Sequence, residues 1–313
     1  MKKFQKLKPV KDMKIDRNNS INDLTKKMFD SGGFTAKKLA LGINILEKML
    51  KDKECLKFLS FPACIIATGT RGIIKEMVRK KMFDVLITTC GTLDHDLARI
   101  WKNYYHGDFL MDDKELHKIG INRLGNILVP NESYGLILEE KMTEFLKDIY
   151  DEGKKELSTY ELIWEIGKRI KNRESIIHWS YKNKIPIIIP GITDGAVGYH
   201  IWQFSQDHEL KINVLKDEQL LSDLVWNTKK SGALIIGGGI SKHHTIWWNQ
   251  FKNGLDYAVY ITTAVEWDGS LSGARPREAI SWAQINERAK FMMIEEDATI
   301  ALPIIFGSLL ERL

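Results

Sequence analysis

Short apolar runs alternate along the chain with longer segments in which apolar residues recur at helical spacing. The runs have the length of buried strands and are FLSF from 58, DVLITT from 84, NILVP from 126, IPIIIP from 185, GALIIGG from 232, DYAVYITT from 256 and FMMIEE from 291. Nearly continuous apolar strands that alternate with amphipathic helices indicate a parallel sheet covered on both faces. The stretch 134–182 is the exception, because its spacing predicts two or three helices in succession.

The N-terminal part of the chain has a different pattern. It opens with the basic stretch MKKFQKLKPVKDMK, predicted to be a mobile arm, and continues into INDLTKKMF, whose apolar residues have helical spacing. A second helix is predicted over 35–53. We therefore divide the chain into a basic N-terminal arm and helix, residues 1–30, and one α/β domain, residues 31–313, which is long enough to bury a single large core.

Composition narrows the class of protein. Hydrophobic residues make up 44% and charged residues 28% of the chain, which is typical of a folded soluble protein. The apolar runs are far shorter than the roughly 20 residues of a membrane span, and the N-terminus lacks the apolar core of a secretory signal. Three separated cysteines without CxxC spacing favour a reducing compartment, so a cytoplasmic location is expected. The net charge of +5 is spread along the chain, which argues against nucleic-acid binding.

Polar clusters follow five of the predicted strands. They are TTCGTLDHD (88–96), PGITDGAVG (190–198), GGGISKHH (237–244), TTAVEWDGSLSG (262–273) and EEDAT (295–299). Because the strands are predicted to be parallel, these clusters meet at one edge of the sheet, where α/β proteins bind their ligands. We expect a ligand site at that edge.

Small-residue turns at the same edge favour a dinucleotide. GGG (237–239), ATGTRG (67–72) and the glycine and threonine at 91–92 each lead into a predicted helix, where backbone N–H groups can bind a pyrophosphate. None has the GxGxxG spacing, and each is also compatible with an ordinary tight turn. Three such turns at one edge are better explained by one shared ligand.

Acidic, imidazole and indole side chains accompany these turns. Asp94, near a predicted helix start, is typical of a helix cap, while Asp194 and Asp268 can bind ribose hydroxyls or stabilise Asp-Gly turns. A single imidazole, such as His243, can move a proton, and no histidine or cysteine spacing indicates a metal site. Trp247, Trp248, Trp267 and Trp282 are compatible with core packing or, beside acids, with a pocket for an organic cation.

Longer strings carry a family resemblance. TTCGTLDHDLAR, HGDF, DDKELHKIGINRLGNILVPNESYG, GITDGAVG, GGGISKHH, DYAVYITTAVEWDGSLSGARPREAISW and DATIALP occur in this order between about residue 31 and the C-terminus. Together they resemble deoxyhypusine synthase in its archaeal form. The resemblance implies a Rossmann-like parallel α/β fold with a helical N-terminal extension. It also implies a homotetramer, built as a dimer of dimers, with its binding sites at the dimer interface.

The resemblance also implies a reaction, with NAD as cofactor and spermidine as the amine. In that family a hydride passes from spermidine to NAD, and the resulting imine gives its aminobutyl group to an active-site lysine. The group then moves to a lysine of the precursor of the hypusine-containing translation factor and is reduced there. The expected partners are therefore spermidine, or a related amine, and that precursor.

Functional residues follow from the resemblance position by position. The implied NAD contacts are Thr68, Gly69, Thr89, Gly91, Asp96, Asp194, Gly238, Thr263, Asp268, Ser270, Ser272, Asp297 and Ala298. His243, Glu278 and Trp282 match the polyamine pocket, with a carboxylate for an amine terminus and an indole for the alkyl chain. His243 is also a candidate catalytic group.

The chain departs from the family at the nucleophile. The family's SWGK reads SWAQ here, so Gln284 stands at the lysine position, and a carboxamide cannot form an imine. Asp297 keeps its expected distance downstream, so no gap shifts the alignment. Lys290 is the nearest other lysine, but it is predicted to lie on a strand away from the ligand edge. Pro62, Ala63 and Cys64 also replace a segment that usually carries an asparagine near the cofactor.

Three functions stay open on these grounds. The first is deoxyhypusine synthesis, the nominal activity, impaired or carried out without the lysine. The second is a paralogous NAD-dependent enzyme that acts on another amine. The third is a non-catalytic subunit that forms a hetero-oligomer with an active paralogue.

Overall fold

The computed structural model describes residues 7–313. Its strands are β1 (Cys55–Ser60), β2 (Val85–Ile87), β3 (Tyr105–His106), β4 (Ile121–Leu124), β5 (Ile127–Pro130), β6 (Glu156–Leu157), β7 (Ile187–Ile188), β8 (Lys211–Ile212), β9 (Lys230–Ile236), β10 (Leu255–Thr262) and β11 (Ile285–Glu295). Its α-helices are α1 (Ile21–Asp30), α2 (Phe34–Lys51), α3 (Arg71–Arg79), α4 (Gly91–Trp101), α5 (Asp113–Lys118), α6 (Gly135–Asp151), α7 (Thr159–Arg169), α8 (Ile176–Asn183), α9 (Ala196–Phe204), α10 (Leu215–Trp226), α11 (Gly239–Gln250), α12 (Glu278–Ser281) and α13 (Ala298–Arg312).

A six-stranded sheet with the order β11-β10-β9-β1-β2-β7 forms the centre of the molecule, and all of its neighbouring strands are parallel. Alternate residues of each strand face opposite sides. On one side, Leu59 and Val259 belong to a core that includes Ile43 of α2. On the other side, Phe58 belongs to a core that includes Ile246 of α11. The predicted parallel sheet with helices on both faces is confirmed.

One predicted strand belongs elsewhere. The run NILVP becomes β5, which pairs antiparallel with β3 and β4 in a separate small sheet rather than with the central one. The reason is local, because Gly125 and Asn126 form a two-residue connection between β4 and β5. Gly125 has a positive φ of 61°, which suits a tight hairpin. The stretch 134–182 forms α6, α7 and α8, as predicted.

Helix α1 packs on the body of the molecule. The hydroxyls of Thr25 and Ser308 are 3.0 Å apart in the interior, and Arg312 Nε donates to Asn22 Oδ1 at 2.7 Å. The boundary after residue 30 is therefore crossed by buried contacts between α1 and α13. Of the predicted basic arm, residues 1–6 lie outside the described residues, while Lys11 Nζ forms an ion pair with Asp30 Oδ2 at 3.0 Å. Among residues 7–313, no helix has both the length and the apolar character to cross a bilayer.

We call the edge at which the six parallel strands end the carboxyl edge. Helices α3, α4, α9, α11 and α13 begin shortly after strands that end there. The five polar clusters predicted from the sequence all follow these strand ends, so the structure confirms that they meet at one edge.

Candidate functional site

Free helix starts characterise the carboxyl edge. The first residues of α3, α4 and α11 receive no hydrogen bond from a side chain of the preceding cap residue. The first N–H groups of α3 donate to the carbonyls of residues 68–70, and the N–H of Thr92 in α4 donates to Thr89. The N–H groups of Gly91 in α4 and of Gly239 and Ile240 in α11 make no such bond and remain available to a ligand, and the helix dipole favours an anion there. A Cβ atom added at Gly69 or Gly239 would meet nothing within 4 Å, so there is open space beside two of these turns.

Most of the residues implied as NAD contacts lie accessible at this edge. All but Asp96 are exposed or half-buried. Several also organise the edge itself: Asp268 Oδ1 accepts from the Ser270 N–H at 2.7 Å, and Asp297 Oδ1 caps α13 by accepting from the Thr299 N–H at 2.8 Å. The side chain of Asp194 makes no hydrogen bond within residues 7–313 and is exposed. The edge thus holds acceptor groups that its own loops leave free.

Asp96 requires a correction. Its carboxylate is completely buried, accepts from Arg71 Nε at 2.8 Å and from the Ser175 hydroxyl at 2.7 Å, and also receives the Ile177 N–H at 3.1 Å. Asp96 lies in the second turn of α4, below the carboxyl edge. Its oxygens are occupied by α3 and by the start of α8, so it is a structural residue and not a ligand contact in this chain.

Asp94 caps a helix, but not its own. Its oxygens accept from the N–H groups of Ala196 at 3.0 Å and Val197 at 2.8 Å, which begin α9, and from the Tyr134 hydroxyl at 2.7 Å. Burial raises the pKa of Asp94 above its ordinary value, although these three donors oppose the shift. The sequence predicted that Asp94 caps a helix, but only the tertiary structure shows that this helix is α9.

A cavity of about 240 Å³ lies between α11 and α12, on one face of the central sheet. We call it the α11 cavity. Its lining includes Lys242, His243, Tyr260, Glu278, Trp282 and Gln284. The four residues implied in amine binding and catalysis, His243, Glu278, Trp282 and Gln284, therefore share one cavity.

The α11 cavity runs along the sheet rather than across its carboxyl edge. Leu271, from the loop after β10, lines it near that edge. Gln284 lies at the opposite end of the strands, because its carbonyl accepts from the N–H of Leu255, the first residue of β10, at 3.1 Å. The rule that ligands bind beyond the carboxyl ends of parallel strands therefore locates only the part of this cavity near Leu271.

Glu278 carries a carboxylate without a cation. Within residues 7–313, no Lys, Arg or His nitrogen lies within 4.0 Å of it. Arg275, one of the two arginines that precede it, is already paired with Glu266 and with Glu295, the latter at 3.2 Å. Trp282 is 64% exposed, so one side of its indole is free. A carboxylate and an open indole are suitable contacts for an organic cation.

The adjacent histidines diverge, as their neighbouring positions require. His243 faces the cavity and stacks on Trp247 with ring centroids 5.6 Å apart. His244 points toward α10, where its Nε2 lies 3.0 Å from Glu218 Oε1. Burial lowers the pKa of His244, and the Glu218 charge opposes that shift. Only His243 is placed to meet a ligand in the cavity.

Gln284 is almost fully buried, with 7% of its surface exposed, and its carboxamide makes no hydrogen bond within the described part of the chain. The residue before it, Ala283, has a φ of +54°, a left-handed conformation that glycine adopts without strain. Two residues of the SWAQ segment are therefore unusual: an alanine in a glycine conformation and an amide facing a cavity.

Sequence reasoning missed Lys242. Its side chain is 1% exposed, and its Nζ donates to the carbonyl oxygens of Leu271 at 2.6 Å and Ala274 at 2.8 Å. Burial lowers its pKa to about 8, and the nearby Glu278 charge opposes the shift. Lys242 stands next to His243 in the GGGISKHH string, but only the orientation of α11 decides that it faces inward.

Comparisons with known proteins agree with this architecture. The family model described as deoxyhypusine synthase matches residues 23–309. A probable deoxyhypusine synthase of Picrophilus torridus is 56% identical over 304 residues, covering 97% of both chains. One from Thermoplasma volcanium is 53% identical with the same coverage.

A solved structure shares the fold. The crystal structure of an Entamoeba histolytica protein assigned by name to the deoxyhypusine synthases superposes with a TM-score of 0.66 at 21% identity, over 96% of each chain. At that identity the likeness concerns the fold alone. The matches to the family model and to the archaeal relatives, however, span almost the whole chain, and the chain belongs to the deoxyhypusine synthase family, a family of transferases.

Proposed function

We propose that this protein is an NAD-dependent transferase that moves the aminobutyl group of spermidine to a lysine of the precursor of the hypusine-containing translation factor. The observation that carries the proposal is the α11 cavity of this family member. The unpaired carboxylate of Glu278 and the open indole of Trp282 both line it. Both groups are suited to a flexible, positively charged amine.

The carboxyl edge fits NAD. The starts of α4, at Gly91, and of α11, at Gly239 and Ile240, offer free N–H donors for a pyrophosphate, and the open space at Gly69 and Gly239 leaves room for it. The exposed side chains of Asp194 and Thr263 are acceptors and donors for ribose hydroxyls. When bound, NAD would supply a hydride acceptor and donor. The residues of the chain would bind it and hold the amine beside it.

The size of the α11 cavity favours a slender ligand. Its volume of about 240 Å³ is smaller than the roughly 300–1,000 Å³ of pockets for drug-sized molecules. An unbranched polyamine would place one ammonium group at Glu278 and its methylene chain along Trp282. His243 lies in the same cavity and can accept or return a proton as the amine changes its charge.

Exposed aromatic side chains favour the association of this chain with other subunits. Several aromatic side chains are more than half exposed: Tyr199, Trp202, Trp267 and Trp282. Aromatic surface of this kind is typical of protein interfaces. It supports an interface with another subunit, and the family resemblance makes this interface part of a proposed homotetramer built as a dimer of dimers. A cytoplasmic location suits the proposed substrates.

The test is to incubate the protein with NAD and radiolabelled spermidine, with and without the acceptor protein. Label on the acceptor supports the transferase. Glu278→Gln is expected to weaken spermidine binding by about 10- to 100-fold, because a charge-assisted hydrogen bond contributes roughly 1.5–3 kcal/mol. Glu287→Gln, at an exposed position outside the cavity, is the matched control and should bind like the parent. Equal binding by both variants would contradict the proposed amine site.

Gln284 favours a second candidate function. A cavity that holds an amide where the family has its lysine suits a protein that oxidises an amine without transfer, or a subunit that completes an active paralogue. NADH formation without labelled acceptor would support the first of these, and NAD binding without either product would support the second. Gln284→Lys, if it gained transfer, would demonstrate that the remaining residues of the site are competent.

A further inference from the structure

Lys242 is a buried amine in the wall of the cavity that Gln284 also lines. Its Nζ donates to the carbonyls of Leu271 and Ala274 and lies 4.3 Å from the centroid of the Tyr260 ring. No carboxylate oxygen lies within 4.0 Å of it among residues 7–313. It is also the one lysine among the residues that line the cavity. A lysine buried without an anion is an unusual and costly feature.

Burial favours the neutral form of the amine, although the carbonyl oxygens and the face of the Tyr260 ring attract an ammonium group. Burial lowers the pKa of Lys242 to about 8, against the attraction of Glu278. At pH 7 about a tenth of such a group is neutral, compared with less than about 0.1% of an ordinary lysine. The other titratable or charged groups that line the cavity are His243, Tyr260 and Arg275, and the last is neutralised by Glu266 and Glu295.

The hydrogen bonds also orient the amine. A neutral amine has two N–H bonds and one lone pair, and the two carbonyls can accept both hydrogens. The lone pair then takes no part in these hydrogen bonds and can attack a carbon atom that reaches Nζ from the cavity. A desolvated, neutral amine is the form of lysine that acts as a nucleophile toward carbonyl and imine carbons.

We propose that Lys242 is the nucleophile that forms the covalent imine in this chain, in place of the lysine whose position Gln284 occupies. This inference rests on the proposed function, because that function supplies the oxidised amine, with a nicotinamide dinucleotide as the oxidant. The step at Lys242 is itself redox-neutral. The neutral Nζ adds to the imine carbon of the oxidised spermidine and forms a C–N bond. The bond from that carbon to the departing nitrogen then breaks, and that nitrogen leaves as a protonated diamine.

Transfer reverses the same step. The amine of the acceptor lysine adds to the imine carbon held by Lys242, and Nζ leaves as the free amine. The aminobutyl group is then joined to the acceptor by an imine that a returned hydride reduces. Lys290, the nearest lysine in sequence to Gln284, cannot replace Lys242. It lies in the middle of β11 in a groove with Asp52 and Tyr257, separate from the α11 cavity.

The first arm of the test needs no cofactor. The full-length protein is treated at pH 7 with butanal and cyanoborohydride, which trap an imine as a butyl-lysine, and the modified peptides are quantified by mass spectrometry. Lys242 is expected to be labelled on the order of tenfold faster than the exposed lysines, because its neutral fraction is higher by about two orders of magnitude and burial slows access. Its labelling should rise with pH with a midpoint near 8. Labelling that follows exposure alone, without enrichment at Lys242, would overturn the inference.

The second arm adds NAD, spermidine and borohydride. An aminobutyl group on Lys242 supports the inference, and loss of transfer to the acceptor in Lys242→Arg but not in Lys290→Arg adds to that support. Transfer to the acceptor that persists unchanged in Lys242→Arg overturns it. The two proposals fail separately. Butyl labelling of Lys242 without any hydride transfer from spermidine would contradict the proposed function, whereas full aminobutyl transfer without any adduct on Lys242 would contradict only the inference.

Discussion

The carboxyl edge and the α11 cavity offer different chemical groups to a ligand. The edge offers backbone N–H groups at helix starts and exposed side chains such as Asp194, and none of these is costly to leave in water. The cavity instead contains buried side chains that carry charge or hydrogen-bonding capacity, above all Lys242 and Gln284. The edge follows from the topology of a parallel sheet, while the cavity depends on how α11 and α12 pack against it.

One loop joins the two regions. Ser272 contacts Gly238 at the start of α11, on the edge, while the carbonyls of Leu271 and Ala274 hold Lys242 in the cavity. A change at the edge that moves this loop should therefore alter the cavity as well. The first prediction below tests whether the two regions are independent, and the other two test the strain and burial that distinguish the cavity.

Gly238→Ala is expected to have the largest effect. A Cβ there would lie 2.7 Å from Ser272 Cβ and closer still to its Cα, so the loop must move. We expect the free energy of unfolding in urea to fall by about 1–3 kcal/mol, as for other overpacked sites. NAD binding, measured by calorimetry, should weaken, and the butanal labelling of Lys242 should slow.

Gly69→Ala is the stability control, since its added Cβ would meet nothing within 4 Å. Its unfolding free energy should stay within about 0.5 kcal/mol of the parent. Normal Lys242 labelling in Gly238→Ala would mean that the two regions are not coupled through the loop.

Lys242→Met should change how stability depends on pH. Because burial lowers the pKa of Lys242 from 10.5 to about 8, the unfolded chain binds this proton at pH values where the folded chain does not. Stability therefore falls as the pH decreases from about 10.5 to 8, and the loss is complete below that window. The unfolding free energy of the parent minus that of the variant should be larger at pH 10 than at pH 7, by up to about 3 kcal/mol. A difference that does not vary with pH would mean that the pKa of Lys242 is not lowered and that its amine is exposed to water.

Ala283→Gly is expected to have the smallest effect. Its φ of +54° strains an alanine but not a glycine, so the variant should gain roughly 0.5–1 kcal/mol in unfolding free energy. Ala289→Gly, at a position without a positive φ, should lose stability instead. If both glycine variants lost stability, Ala283 would not be strained in solution.

The sequence alone determined a large part of this protein. The alternating apolar runs predicted the central parallel sheet, because buried parallel strands must be apolar on both faces. The order of the strands then placed five polar clusters at one edge. The strand that was misassigned, β5, failed because an apolar run of four residues does not say which sheet it will join. The Gly125–Asn126 turn next to it was the local signal for a hairpin.

The tertiary structure decided the rest. It turned Asp96 into the core to pair with Arg71, gave the capping oxygens of Asp94 to α9, and turned Lys242 rather than a surface neighbour into the cavity. The resemblance of SWAQ to the family's SWGK predicts that a lysine is missing at Gln284, but the sequence cannot show that Lys242 lies in the same cavity. Which side chains meet depends on the rotation of helices and on contacts between residues far apart in the chain. Local sequence patterns do not predict either.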